Sequence, residues 1–302
     1  MATKEQDAIS RVPPPHTLQE PHSDIPQGAA GDPAALGISA LLIGKTLPDY
    51  YAAAIRQADH LTNDVPRWSN GAISHREAWP ELWADFIYMV PPFLAYYAVA
   101  SSNLALLKES AVQAKLYRDG LEVTPEGVWL HIRGTHGTID LAPWSSGNGW
   151  AAAGMARVLA TLRKSRYNKD TKEEQDLLIG LIKQILDGVI ALDVDSSKLL
   201  RNYLNDASWW GEISGTSLLA ATAFRVAVLA PKVFGPKYTN WAIEKKRVVD
   251  TKIDATTGIV APAINPLNWH DRNQYLNGSP EGQSFVVLLH AAERDWRASK
   301  GY

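Results

Sequence analysis

Asp85 is the residue best placed to do chemistry. It sits in the run Trp79-Pro-Glu-Leu-Trp-Ala-Asp-Phe-Ile-Tyr-Met-Val-Pro-Pro-Phe-Leu-Ala-Tyr-Tyr, with large apolar side chains on both sides. Neither a helical nor a strand period puts its carboxyl on a clearly polar face. Burying an unpaired charge is expensive, so packing alone is a poor reason to keep an Asp there. A carboxyl in apolar surroundings tends to have a raised pKa, which suits a general acid at neutral pH. The competing reading is a helix-borne Asp that finds a backbone or arginine partner.

The aromatic residues point to a ligand with flat apolar faces. There are 11 tryptophans against 5 phenylalanines, and packing alone would favour Phe and Leu. Trp68, Trp129, Trp144, Trp209, Trp210 and Trp269 fall near expected loop–helix junctions. Indole faces beside polar groups suit sugar rings, among other ligands. Ordinary core packing accounts for about half of them.

Other chemistries are excluded. The chain has no cysteine, so it has no disulfide, thiolate metal site or cysteine nucleophile. Its 8 histidines include no His-x-x-x-His pair, and no G-x-S-x-G elbow is present. Gly147-Asn148-Gly149 is too short for a phosphate loop. No metal or cofactor is expected. A net charge of −2 carries no footprint for nucleic acid or an anionic membrane. No apolar run is long enough to span a bilayer. The first ten residues are polar and lack the apolar core of a secretory signal. The expected location is the cytoplasm as the chain is written, or outside the cell if the true N-terminus is missing. The expected partner is a small molecule or an oligosaccharide.

The elements that must position these residues read as helices. Residues 1–30 are rich in Pro, Gln, Ser and His and read as a disordered or extended arm. Residues 31–302 read as a single domain. Asp32-Pro33 looks like an N-cap followed by Pro, opening an apolar helix over 34–43 that ends at Gly44. Helices are expected over 48–61, 79–100, 103–118, 149–162, 172–192, 214–229, 238–252 and 280–296, the second bent at Pro91-Pro92. Residues 128–132 read as a short strand or loop. Convincing strands are scarce, so the fold class is all-α.

Two kinds of helix alternate. Those starting near Asp32, Trp79, Gly147, Gly215 and Gly282 are apolar and rich in small residues. Those near Pro48, Asn103, Lys172 and Tyr238 are amphipathic. The last four apolar starts are spaced by about 68 residues, a period longer than that of common helical solenoids. Apolar helices are buried all round and amphipathic ones keep a solvent face. The alternation describes an inner ring wrapped by an outer ring, a toroid of helical hairpins.

The inner-helix segments resemble a known family. Leu82-Trp-Ala-Asp-Phe-Ile-Tyr-Met-Val-Pro-Pro-Phe-Leu-Ala is similar to a W-x-D-x-x-Y-M-x-x-P-F-L-A stretch of the six-hairpin glycosidases. Trp144-Ser-Ser-Gly-Asn-Gly-Trp is similar to their W-x-R-G-N-G-W start. Val128-Trp-Leu-His and Ser279-Pro-Glu-Gly-Gln-Ser-Phe resemble further segments. The likeness is to the unsaturated rhamnogalacturonyl and glucuronyl hydrolases of glycoside hydrolase families 88 and 105, in their fungal form. It implies an (α/α)6 toroid with a funnel where the inner helices begin. It also implies hydration of the vinyl ether of a 4,5-unsaturated uronyl saccharide. Asp85 matches the acid/base position and Asp32 the second acidic position, although Asp-Pro is equally an ordinary N-cap. His131 matches the pocket histidine. Trp129, Trp144, Asn148 and Trp150 are expected to line the funnel.

Two departures stand against the pattern. Ser146 replaces the arginine, and a serine cannot read a carboxylate as a bidentate fork does. Arg76 or Arg133 could substitute. Only five inner helices are visible, so most of the first hairpin is expected to be lacking. An open ring would expose apolar helix sides and favour a homodimer. Two alternatives therefore stand beside the hydrolase. One is a repurposed intracellular enzyme that cyclises, dehydrates or isomerises a small metabolite, and the other is a non-catalytic binder.

Overall fold

The computed structural model describes residues 28–137 and 139–301. The expected arm, as far as Gln27, lies outside the described residues. The chain runs α1 (Gly31–Ala34), α2 (Gly37–Ile43), α3 (Pro48–Asn63), β1 (Glu81–Trp83), α4 (Phe86–Ala100), α5 (Leu104–Leu121) and β2 (Ile132–Gly134). It continues α6 (Ser145–Lys164), α7 (Lys172–Leu192), β3 (Leu200–Arg201), β4 (Gly211–Glu212), α8 (Ile213–Leu229), α9 (Pro236–Asp250) and α10 (Pro280–Ser299).

The inner and outer rings are as the alternation demands. α4, α6, α8 and α10 pack side by side in that order, with α1 and α2 against α4. α3, α5, α7 and α9 lie outside them. Among the described residues there are five inner segments and four outer helices. The first hairpin is short: α1 and α2 divide between them the single helix expected over 34–43, and they pair with α3.

Small residues let the inner helices press together. A side chain at Gly154 of α6 would meet the Ile87 carbonyl of α4 at 2.1 Å. One at Gly215 of α8 would meet Ser145 Oγ of α6 at 2.3 Å. Between the rings lies one continuous apolar core running from Ala30 to Ala292. Phe86 stacks on Tyr117 there with ring centroids 4.6 Å apart, fastening α4 to α5.

The expected helix over 79–100 is corrected by the structure. Residues 81–83 form β1, which pairs antiparallel with β2 in the register Glu81↔Gly134, Leu82↔Arg133, Trp83↔Ile132. The helix begins only at Phe86, and Asp85 is its N-cap. Pro91 and Pro92 lie inside it. A second correction concerns Asp32. It is not an N-cap but the second residue of α1, behind Ala30 in the capping position. Gly44 ends α2 in a right-handed conformation, so its glycine freedom is not used.

Candidate active site

The loops that deliver the inner helices hydrogen-bond to one another as a collar. Ala30 N donates to His75 O, Ala84 N to His131 O, Ser145 N to Asn202 O and Ile213 N to Pro262 O. Each bond places the start of one inner helix against the loop of a neighbour. The N-terminal ends of α1, α4, α6, α8 and α10 thereby gather at one end of the ring.

Asp85 and His131 meet in this collar. As N-cap of α4, Asp85 makes no capping hydrogen bond. Its Oδ2 lies 3.3 Å from His131 Nε2. The approach lacks hydrogen-bond alignment, and both atoms are buried with no other partner. The far side of the imidazole is fixed, with Nδ1 2.9 Å from Asp140 Oδ2. Asp140 also accepts from Tyr203 Oη at 2.5 Å and Trp269 Nε1 at 3.0 Å. Burial works against charge on Asp140, but the bonds from His131 and Tyr203 outweigh it and hold the carboxyl below its usual range. Burial likewise disfavours the imidazolium, yet the contacts with Asp140 and Asp85 hold the His131 pKa above its ordinary value. His131 is thus an oriented proton carrier, locked on one side and open toward Asp85 on the other.

On the opposite flank are Asp32, Arg76, His75 and Trp83. Burial raises the Asp32 pKa, the Arg76 charge opposes that, and the Asp85 charge adds to it. The two carboxyls expected to act together therefore feel each other. Arg76 lies over the Trp83 ring at 4.5 Å and approaches Glu81 at 3.4 Å. His75 stacks on Trp83 at 5.0 Å, and burial pulls its pKa down to about 3. His75 is a neutral, apolar-facing wall.

Aromatic rings complete the enclosure. Trp269 meets Trp83 at 5.5 Å and His131 at 5.0 Å, edge to face. Trp144 lies 4.5 Å from His131 and donates from Nε1 to Asn202. Trp129 is wholly buried in the main core. Asn148 accepts from Trp129 N and donates to the carbonyls of Trp129 and Trp144, so its amide ties the loop to α6. Trp150 sits one turn deeper, packed on Tyr88 at 4.6 Å and Phe285 at 4.7 Å. Ser146 is fully buried and its Oγ has no hydrogen-bond partner.

Several site residues escaped sequence reasoning: His75, Trp83, Asp140, Tyr203, Glu212 and Glu281. Asp140 and Tyr203 lie in loops, where polar residues read as solvated. Glu212 caps α8 by accepting from Ser214 N and Gly215 N, and it also accepts from Ser145 Oγ. Burial raises its pKa in spite of those bonds. Glu281 is the second residue of α10. Its Oε1 is buried without a partner, and burial followed by the charges of Asp85 and Glu212 pushes its pKa to about 8. The usable signal was an acid beside Gly282 in a quoted motif, which reads equally as a first-turn Glu.

Comparison with known proteins agrees with this architecture. A possible member of the GH105 family from Salmonella enterica superposes with a TM-score of 0.75 at 19% identity, covering 91% of this chain and 74% of that one. A family 88 glycosyl hydrolase from Bacteroides vulgatus gives 0.67 at 18%, covering 88% and 74%. An unsaturated glucuronyl hydrolase responsible for degrading glycosaminoglycan, from Bacillus sp. GL1, gives 0.64 at 16%, also covering 88% and 74%. These likenesses are of fold, the α/α toroid. The three sources are bacterial and lend nothing to the expected fungal kinship. The Glycosyl Hydrolase Family 88 model matches residues 35–256, more than half of the sequence, and the chain belongs to that family.

Proposed function

We propose that the chain is an unsaturated uronyl hydrolase, hydrating the vinyl ether of a saccharide capped by a 4,5-unsaturated uronate, with Asp85 as general acid and base. The observation that carries this reading is the approach of Asp85 to His131. Two buried polar atoms that make no hydrogen bond lie 3.3 Å apart. Leaving such atoms unpaired costs about 1–3 kcal/mol each, a cost that a polar substrate group would offset. Family membership and the aromatic walls are its further support.

In the reaction Asp85 gives its proton to C4 and takes one from water as the hydroxyl adds to C5. The sum is one water added across the double bond. The hemiketal at C5 opens to a ketone and leaves a hydroxyl on C1. That C1 hemiacetal collapses to an aldehyde and releases the remaining saccharide as an alcohol. His131, held by Asp140, orients Asp85 and the water. Asp32 is the second carboxyl, its pKa raised by burial against the opposing charge of Arg76.

The test is the near-ultraviolet absorbance of the conjugated double bond, followed on a panel of unsaturated uronyl oligosaccharides with the wild type and Asp85→Asn. Loss of absorbance with the wild type alone supports the reading. A folded wild type inert to the whole panel overturns it. Ser146, in place of an arginine, would then favour a repurposed enzyme acting on a small metabolite, or a binder.

A further inference from the structure

Three consecutive inner helices open in the same way. The second residue of α6 is Ser146, that of α8 is Ser214, and that of α10 is Glu281. Each carries a buried side-chain oxygen with no hydrogen-bond partner: Ser146 Oγ, Ser214 Oγ and Glu281 Oε1. Ser146 and Ser214 are 0% and 1% exposed.

The three groups share one layer. Residues four positions apart lie on one helix face, one turn down. Four residues after them come Trp150, Leu218 and Phe285, which pack together with Tyr88 as a single apolar cluster. The serines and the glutamate therefore lie in one layer, a turn above an apolar floor. A side chain at Gly282 would meet Ser214 Oγ at 2.9 Å, and Glu212 binds Ser145 and Ser214 together. These contacts hold the three helix starts close.

Resting on the hydrolase reading, we infer that Ser146, Ser214 and Glu281 form a carboxylate-binding subsite, with Glu281 as the specificity-determining residue that donates its own proton to the substrate's uronate. Two features select a carboxylate. The serine hydroxyls are unpaired donors, and a carboxylate only accepts. Glu281 faces Asp85 of α4, Glu212 of the α8 cap and His131 of the collar. With two acids among those neighbours it holds a proton at neutral pH and pairs with a carboxylate as acid with base. This device does the work of the absent arginine, and it works only while Glu281 is protonated.

The experiment is a tryptophan-fluorescence titration with D-glucuronate and with its neutral methyl ester, from pH 6 to pH 9.5. It compares wild type, Glu281→Gln and Glu281→Ala, each checked for a wild-type melting profile. The wild type is expected to prefer the acid over the ester, and its Kd for glucuronate to rise roughly tenfold per pH unit above about 8. Glu281→Gln keeps a donor without a titrating proton, so its Kd stays level across the range. Glu281→Ala binds about tenfold more weakly than the wild type below pH 8 and shows no alkaline rise. Equal binding of acid and ester by the wild type overturns the proposal, as does an alkaline rise that Glu281→Gln retains. Turnover is not needed, so a protein that binds glucuronate in this way but hydrolyses nothing sinks the hydrolase reading alone.

Discussion

The two ends of the inner ring treat charge in opposite ways. At the N-terminal end, Asp85, Glu281, Ser146 and Ser214 each carry a buried oxygen that makes no hydrogen bond. Toward the C-terminal ends the same helices line two grooves of about 330 and 570 Å³. Arg157, Lys164, Arg225 and Lys45 border them; Arg157 donates to the Tyr88 carbonyl and Arg225 pairs with Asp295. The Trp150–Phe285 floor lies between the two ends. Solvent and ordinary partners compensate the basic charges, whereas the buried oxygens make no hydrogen bond within the chain. Unpaired polarity in a dry place is a demand for a ligand, and the same polarity in water demands nothing.

Substitutions should divide along this line. Asp85→Asn removes the proton but keeps the shape, so turnover should fall by about a hundredfold or more while the melting temperature holds. Comparable losses from a groove variant such as Arg157→Ala would break the contrast.

Asp140→Asn should reduce turnover roughly ten- to a hundredfold by releasing the imidazole. NMR titration should show the His131 pKa lowered from its wild-type position, which lies above the ordinary 6.5. The sign can be followed through stability. The charged pair stabilises the fold between two titrations. Its contribution is lost as pH falls through the depressed Asp140 pKa and again as pH rises through the raised His131 pKa. Denaturant unfolding across pH should show a wild-type advantage over Asp140→Asn confined to that window.

Gly154→Ala tests packing rather than chemistry. Its methyl has no room against the Ile87 carbonyl, so unfolding should become easier by about 1–3 kcal/mol. The smallest effect is expected from Arg225→Ala. Its pair with Asp295 is about 40% exposed on each side, and loss should shift stability by less than about 0.5 kcal/mol with turnover unchanged.

Much of the ring was readable from the chain because a helix declares itself locally. The expected span over 172–192 matches α7 to the residue, and the inner–outer alternation follows from which faces are apolar. Asp85 stands out in the sequence as an acid among apolar neighbours, but its setting was misread. An apolar run does not distinguish a strand from a helix, and β1 is decided by its distant partner β2. Asp140 was invisible for the same reason. Trp269 lies 129 residues away from it in sequence, and only the folded collar brings them together. Glu281 looked like an ordinary first-turn acid, because local pattern cannot reveal that its oxygen finds no partner.

Glu212 has a consequence for how the ring assembles. Its carboxylate accepts from Ser145 in one hairpin and from Ser214 and Gly215 in the next. Ser145 and Glu212 are 67 positions apart, one whole repeat. A linear array of repeats can fray from its ends, one unit at a time. A buried brace across a repeat boundary opposes that, because opening either hairpin strands an acid in the interior. The amides of Ser214 and Gly215 should then exchange with solvent only when the two hairpins come apart together, among the slowest in the molecule.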